Sequence, residues 1–256
     1  MRNYTYVHLD QMSNSVLSRG ITHRDFYNYT LHRPQNILLL NGDDRSGDYE
    51  IHTGFRVVRG AREVDNYLAE ASQRISTGTK WIDFEEYDVL QRLTANEIAE
   101  LLYFGHMNSQ LSSPFFYKLQ NNYAFFEVND KTTKIYFRNI ENFYRILSEK
   151  LTNQTDAKLN SSVSFFRKKI DVLEIPEELI NRLKLTMQEG VVFDTAQVGL
   201  KNGFYHIPIY IVEDNLRKLD QPVFKTEEQI GILSYDSGHK KWSLQKEQFD
   251  SFYALS

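Results

Sequence analysis

The chain has 256 residues, no cysteine and a formal net charge of -4, from 34 acidic and 30 basic residues. A hydrophobic fraction of 41% with 25% charged residues is that of a globular protein rather than a disordered one. The absence of cysteine excludes a disulfide framework, cysteine-based zinc sites and a thiol nucleophile. The acid excess argues against general nucleic-acid binding, which requires a basic surplus or a basic face.

The beginning of the chain has none of the features of a targeting signal. Residues 1–10 contain one cation and no apolar run of the length that a secretory signal needs. The apolar run at residues 37–40 is far shorter than the ~20 residues that cross a bilayer. The sequence therefore predicts a cytoplasmic protein that does not enter a membrane, and the lack of cysteine agrees with a reducing compartment.

The first predicted elements are two strands and a helix. Residues 37–41 form a short apolar run that ends in a turn, and residues 49–58 have the pattern of a second strand with a bulge at Gly54. In residues 61–76 the apolar side chains recur at helical spacing and no longer alternate, which predicts a helix. Those side chains are Val64, Tyr67, Leu68, Ala71 and Ile75.

The next predicted helix is marked at both ends. Thr94 and Glu97 have the spacing of a capping box, in which each side chain binds the backbone N–H of the other residue. Gly105 is the predicted C-terminal cap, and Pro114 prevents the helix from continuing. Strands are then predicted at residues 117–119, 123–128 and 133–137, with a turn at residues 129–132 and a further helix from Ile140.

The C-terminal part of the chain is rich in predicted strands. A helix is predicted at residues 176–189, because Pro176 suits the first helical position and Gly190 ends the pattern. Strands are predicted at residues 191–193, 204–212, 229–235 and 240–244, with a hairpin turn at residues 236–239. Pro208 lies within one of these strands, which predicts an edge or a bulged position.

A polar stretch at residues 152–162 predicts the domain boundary. It contains one large apolar residue, Leu159, and no periodicity, which indicates a linker or a long loop within one domain. The predicted fold class is α+β, with a mixed first domain containing antiparallel hairpins at residues 1–151. A smaller strand-rich domain with one leading helix is predicted at residues 163–256.

No catalytic motif is local in the sequence. The chain lacks the glycine-rich nucleotide loops, the HExxH zinc motif, the GxSxG elbow and the EF-hand loop. Whether the protein is an enzyme stays open, since many sites are assembled from distant residues. Neither a cofactor nor a metal site is predicted. His23, His32 and His52 match no compact ligand spacing with the neighbouring aspartates, and Asp43 and Asp44 are typical of a turn.

One candidate site is an N-terminal group of basic and imidazole side chains. Arg24 and Arg33 could clamp a phosphate through their planar donors, and His23 could act as general acid or base. This group would suit an enzyme or binder of a phosphate-containing small molecule. The same residues are also typical of a polar turn or helix start with local ion pairs, so both interpretations stay open.

Specific nucleic-acid binding is disfavoured. Residues 93–102 have the pattern of the first helix of a helix-turn-helix, but too few residues remain before Pro114 for a recognition helix. The cations and aromatic residues at residues 165–169 are typical of a solvated face. The acid excess lies in the first half of the chain, which lowers the expectation of DNA binding further.

The leading hypothesis concerns an aromatic region that follows the capped helix. Its candidate binding residues are Phe104, His106, Phe115, Phe116 and Tyr117. Such a group could line a pocket or form a contact surface, although core packing accounts for the same residues. The sequence thus predicts a non-catalytic binding or regulatory protein, whose partner is a protein or a small anionic ligand.

Overall fold

The structure is a computed structural model, and it combines helices with antiparallel strands, which confirms the α+β class. It describes residues 4–73, 78–107, 118–119, 121–129, 131–160, 171–197, 200–201, 204–212 and 228–246. The chain divides into two compact units. The first unit is Asp10–Phe143, and the second unit joins Met1–Leu9 to Tyr144–Ser256. Among the described helices, none has the length and apolar character needed to cross a membrane.

The elements are numbered in chain order within the described residues. The strands are β1 (Thr5–Asp10), β2 (Ser15–Arg19), β3 (Asn36–Leu39), β4 (Asp48–Tyr49), β5 (Arg56–Arg59), β6 (Lys80–Phe84), β7 (Tyr123–Asn129), β8 (Thr132–Phe137), β9 (Val191–Phe193), β10 (Leu200–Lys201), β11 (Phe204–Ile211), β12 (Gln229–Asp236) and β13 (Lys241–Lys246). The helices are α1 (His23–Tyr29), α2 (Ala61–Ala71), α3 (Asp88–Gln91), α4 (Ala95–Met107), α5 (Glu141–Asn160), α6 (Glu177–Asn181) and α7 (Lys184–Met187), and a short 3₁₀ helix lies at Thr195–Gln197.

In the first unit the strands pair in the order β2-β8-β7-β6-β3-β5-β4, and every described pairing is antiparallel. Successive side chains of each strand point to opposite faces of this sheet. On one face, Ile82 and Phe126 pack in a buried cluster with Leu101 and Phe104 of α4. This contact places α4 directly on the sheet.

The opposite face of the same sheet packs against α1. Trp81 of β6 and Phe125 of β7 are register partners, and their rings stack with centroids 5.5 Å apart. Phe26 of α1 meets both rings and that of Tyr123 edge-on, at centroid distances of 5.1–5.5 Å. Edge-to-face aromatic packing of this kind stabilises a core beyond simple burial.

The prediction of a single strand at residues 49–58 is wrong, because a turn divides these residues into two strands. β4 and β5 form a hairpin that residues 50–55 connect. The Glu50 carboxylate holds this turn by accepting both the N–H (2.7 Å) and the hydroxyl (2.6 Å) of Thr53. Gly54 has a φ of +74°, so it supplies the left-handed residue of the turn and not a bulge within a strand.

Gly105 does not cap α4 as predicted, since the helix continues to Met107. The glycine instead lies against the end of β3. A Cβ at this position would be 3.1 Å from both the carbonyl oxygen and the Cβ of Leu40. The missing side chain therefore permits a close approach between helix and sheet.

In the second unit the strands pair in the order β13-β12-β11-β9-β1, with β10 beside β11. The predicted hairpin of β12 and β13 is confirmed. In its turn, the Asp236 carboxylate accepts the N–H groups of Gly238 (2.8 Å) and His239 (3.1 Å). Such an aspartate turn is what its sequence predicts.

An extended segment at residues 171–176 is bound to this hairpin. The Tyr235 hydroxyl donates to the carbonyl oxygen of Asp171 (3.0 Å), and the Trp242 indole N–H donates to that of Leu173 (2.7 Å). Both donors belong to largely buried side chains, so they need such acceptors. The hairpin thus fixes a segment without regular secondary structure.

β11 contains Pro208 but is not an edge strand, because it pairs with both β9 and β12. The Pro208 carbonyl accepts the N–H of Asp194 (3.0 Å), one residue beyond the end of β9. The N and C=O of a strand residue point to the same side, so the missing N–H of Pro208 faces the place where pairing with β9 has ended. The predicted alternative, a bulge, occurs one residue further, between Ile209 and Tyr210.

The linker predicted at residues 152–162 is helical as far as the structure describes it, because α5 extends to Asn160. Within residues 152–160 the buried side chains are Thr152, Thr155 and Leu159, so only one of them is large and apolar. Ser148, Thr152 and Thr155 are all buried, with Leu159 one turn beyond them. Polar residues on the inner side therefore concealed a helix that periodicity of apolar residues could not reveal.

The helix predicted at residues 176–189 is divided at residues 182–183 into α6 and α7. Ile180, Leu183 and Met187 are nevertheless all buried. The apolar spacing that predicts one helix is therefore used by two short ones, because the turn between them keeps Leu183 in the core.

Candidate functional site

The N-terminus of α4 is fixed by the predicted capping box, which is confirmed. The Glu97 carboxylate accepts the N–H (2.7 Å) and the hydroxyl (2.8 Å) of Thr94, and the Thr94 hydroxyl accepts the Glu97 N–H (3.4 Å). The Lys118 ammonium lies 2.6 Å from the same carboxylate. Its hydrogen bond, with those of Thr94, lowers the pKa of Glu97 to about 2. The helix therefore begins at a firmly held position.

The other end of α4 is fastened to the sheet. The Lys80 ammonium donates to the carbonyl oxygen of Gly105 (2.6 Å), where a cation also complements the helix dipole. Phe104 is 1% exposed and packs on Phe126 and Tyr136, with ring centroids 4.4 and 5.4 Å away. Phe104 is thus buried in the core and offers no exposed contact surface.

The outward side of α4 is exposed. Tyr103 is 59% exposed and Leu102 is 44% exposed. His106 is also exposed, and its Nδ1 lies 3.0 Å from the Leu102 carbonyl oxygen. We call the exposed residues of this helix the α4 surface: Ala95, Asn96, Ala99, Leu102, Tyr103 and His106. None of these six carries a carboxylate, an ammonium or a guanidinium group.

The α4 surface includes two residues that the sequence did not single out for binding, Leu102 and Tyr103. The available signal was the run of residues 101–104, Leu-Leu-Tyr-Phe. Four consecutive large apolar residues cannot all lie on one side of a helix, so some of them must face outward. The remaining predicted binding residues, Phe115, Phe116 and Tyr117, lie outside the described residues.

His23, the candidate general acid or base, is buried at 2% exposure. Its ring centroid is 4.7 Å from that of Phe125, and the Trp81 indole N–H donates to its Nε2 (3.3 Å). Nδ1 has no hydrogen-bond partner among the described residues. Burial lowers the pKa of His23 to about 4, so the imidazole is neutral at pH 7. This geometry makes His23 an internal acceptor, out of reach of a ligand at the surface.

The two arginines of the same candidate site differ in their surroundings. Arg24 is exposed, whereas the Arg33 guanidinium lies 4.2 Å above the Tyr27 ring and 3.6 Å from the Asp65 carboxylate. His23 faces the sheet instead. The described contacts therefore bring His23, Arg24 and Arg33 into no common cleft, and the phosphate-site hypothesis has no assembled geometry among them.

A groove of about 310 Å³ lies beside α2 and the β4–β5 hairpin. Its lining includes the acidic residues Asp48, Glu63 and Glu70 and the basic residue Arg59. The Arg59 guanidinium lies 3.9 Å above the Tyr87 ring. Because carboxylates outnumber cations in the lining, the groove repels a phosphate and does not supply the anion site that the alternative hypothesis requires.

Asp83 of β6 is a buried carboxylate that is not among the candidates named from the sequence. It is 2% exposed and accepts the N–H of Tyr123 (2.6 Å) and that of Asn122 (2.9 Å). Burial raises the pKa of Asp83 to about 7, against the opposing effect of these two hydrogen bonds. The signal in the sequence was a single aspartate within an otherwise apolar stretch, Trp-Ile-Asp-Phe at residues 81–84.

The described parts of the chain contain no group of three or more His, Asp or Glu side chains that could hold a metal ion. Comparisons with known protein families, with characterised proteins and with solved structures found no match.

Proposed function

We propose that this chain is a non-catalytic binding protein that contacts an apolar patch of a partner protein through the α4 surface. The supporting observation is the exposure of Leu102 and Tyr103 on a helix whose exposed positions carry no charged group. The exposed side of a surface helix is ordinarily polar or charged. Centres of protein interfaces, in contrast, are enriched in aromatic residues and depleted of charged ones.

The chemistry of the α4 surface defines its partner. A charged partner surface would lose hydration without gaining an ion pair, so the complementary surface is apolar and uncharged. It offers hydrogen-bond partners to the Tyr103 hydroxyl and the Asn96 amide, because polar groups buried in an interface require them. A reducing cytoplasm is the proposed place of action, in agreement with a chain that has no cysteine.

The rigidity of α4 supports the proposal. Lys118 binds the carboxylate that caps its first turn, and Lys80 binds a carbonyl near its last turn. Phe104 anchors the inward side in the core. A surface held in this way loses little conformational entropy on association, which favours binding.

The test removes the apolar groups from the α4 surface without disturbing the helix. In the double variant Leu102→Gln/Tyr103→Gln, both new residues are exposed and favour helix, so we expect the protein to fold. Partners captured from cell lysate by the immobilised wild-type protein are identified, purified and titrated against both proteins. We expect binding to the double variant to be at least about 30-fold weaker, the loss typical of an interface hot spot.

The control variant is Leu185→Gln, which removes an equally large exposed apolar side chain from α7. We expect it to bind the purified partner as the wild-type protein does. A double variant that retains every partner of the wild-type protein, with unchanged affinity, would show that the α4 surface is not the binding site.

A further inference from the structure

The beginning of β7 is attached to β6 by a side chain. The last backbone pair between the two strands is Ile82 with Ala124. One residue further, the Asp83 carboxylate accepts the N–H groups of Asn122 and Tyr123 at 2.6–3.1 Å. Asp83 therefore holds residues 122–123 where the ladder of β6 and β7 has ended.

The groups around Asp83 come from several segments of the first unit. β7 contributes the Tyr123 phenol, whose oxygen accepts the Thr30 hydroxyl at the end of α1 (3.1 Å). The Arg138 guanidinium, which follows β8, is exposed and attracts the Asp83 carboxylate from a distance. The Arg33 guanidinium likewise favours the ionised form of the Tyr123 phenol. On the neighbouring strand β3, the register partner of Asp83 is the apolar Ile37.

Among the described residues, no cation lies within ion-pair distance of Asp83. A carboxylate buried without a paired cation favours the protonated form, because ionisation would place a charge in a medium that solvates it poorly. If residues 122–123 separate from β6, the carboxyl group regains water and its ordinary acidity. Ionisation of Asp83 therefore favours the separated state over the attached one.

We propose that Asp83 is a proton-controlled clamp, which fastens residues 122–123 to β6 when protonated and releases them when ionised. The released fraction rises by up to about tenfold per pH unit between about pH 4 and pH 7 and is constant above that range. The clamp is thus closed in acid and loosest at neutral pH and above. Because α4 is fastened to the same strand through Lys80, β6 holds two neighbouring elements by ionisable side chains.

The test is amide hydrogen exchange of Asn122 and Tyr123 in the whole protein, measured by NMR between pH 4.5 and pH 8. Protection is the intrinsic exchange rate divided by the observed rate, which removes the chemical effect of pH. We expect wild-type protection at these two amides to fall by roughly 50-fold from pH 5 to pH 7 and then to level off. In Asp83→Asn, whose amide oxygen still accepts the N–H groups but cannot ionise, we expect a flat profile.

Two further variants make the outcome decisive. Arg138→Gln removes the distant cation at an exposed position, so we expect the wild-type profile to level off at a higher pH. Asp88→Asn, an exposed carboxylate of α3, should leave the profile unchanged. A flat profile in the wild-type protein overturns the proposal, and so does a steep profile that persists in Asp83→Asn. If Asp83→Asn does not fold, an unchanged levelling pH in Arg138→Gln overturns it.

Discussion

Neighbouring aromatic residues of α4 differ in what they contribute to stability. Phe104 is enclosed by Phe126 and Tyr136, whereas Tyr103 points into solvent. We expect Phe104→Ala to lower the free energy of unfolding by about 3–5 kcal/mol, since it removes buried apolar surface and leaves a cavity. The measurement is urea denaturation followed by circular dichroism.

Tyr103→Ala is the matched control, one position away in the same helix. We expect it to change the free energy of unfolding by less than about 0.5 kcal/mol, as is usual for an exposed position. Equal effects of the two substitutions would contradict the division of α4 into a core side and an exposed side. Destabilisation by Tyr103→Ala alone would also remove the support for an available α4 surface.

At the scale of single residues, the sequence shows which side chains could carry chemistry, but it does not show what surrounds them. Asp83 stands out in its apolar stretch, but the N–H groups that it accepts belong to residues about 40 positions later. His23 is marked as a candidate proton carrier by its type alone, and only the packing of α1 on the sheet shows that Trp81 and Phe125 enclose it. Contacts between distant residues decide both roles.

At the scale of elements, α5 carries three buried hydroxyl groups among its buried apolar side chains. The Thr152 hydroxyl accepts the N–H of Ile175 (3.0 Å), and the buried Ser148 hydroxyl donates to the carbonyl of Ile175. The Thr155 hydroxyl instead donates to Leu151 within its own helix (2.8 Å). Only the first two side chains therefore connect α5 to the segment at residues 171–176.

This difference gives a prediction for two isosteric substitutions on α5. We expect Thr152→Val to lower the free energy of unfolding by about 1–3 kcal/mol, because the Ile175 N–H is left buried without an acceptor. The amide of Ile175 should also exchange faster with solvent. Urea denaturation and NMR exchange measure the two effects.

Thr155→Val is the control for the prediction on Thr152. Its hydroxyl serves a carbonyl that the helix already uses, so we expect a change within about 0.5 kcal/mol. If both valine variants lose the same stability, the hydrogen bond to Ile175 is not what holds the segment. If only Thr155→Val is destabilised, the assignment of the two hydroxyl groups is reversed.

The sequence separation of the interacting residues decides which elements the sequence could reveal. The capping box of α4 and the turn at Asp236 depend on residues three positions apart or fewer, and both are confirmed. The helical course of residues 152–160 has no such local signal, because Leu159 is the one large apolar residue among its buried side chains. Strands β1 and β2 escaped prediction for a similar reason, since pairing with distant strands stabilises them.

At the scale of the whole molecule, two buried groups of the first unit have opposite linkages to pH. Burial lowers the pKa of His23 from 6.5 to about 4, so its contribution to stability is present above pH 6.5 and is lost as the pH falls toward 4. Burial raises the pKa of Asp83 from 3.8 to about 7, so its contribution is present below about pH 4 and is lost as the pH rises toward 7. Over nearly the same pH range, the two groups therefore change the free energy of unfolding in opposite directions.

The positions of the two tryptophans allow the stability of each unit to be measured separately over this pH range. The chain has two tryptophans, Trp81 in the first unit and Trp242 in the second. In a Trp242→Phe background, fluorescence follows Trp81 alone, which contacts His23 and lies two residues from Asp83. Urea unfolding monitored in this way reports the stability of the unit that contains both titrating groups.

We expect the free energy of unfolding of the first unit to be nearly constant between pH 4.5 and pH 6.5, and each single substitution to uncover one slope. In His23→Gln, which keeps an acceptor for Trp81, only the Asp83 linkage remains, so stability should fall by up to about 1.4 kcal/mol per unit of rising pH. In Asp83→Asn only the His23 linkage remains, so stability should rise with pH by a similar amount. The double variant should again be flat. Profiles that stay parallel in all four proteins would mean that neither group titrates differently in the folded and unfolded states. That result would contradict the buried environment described for both side chains.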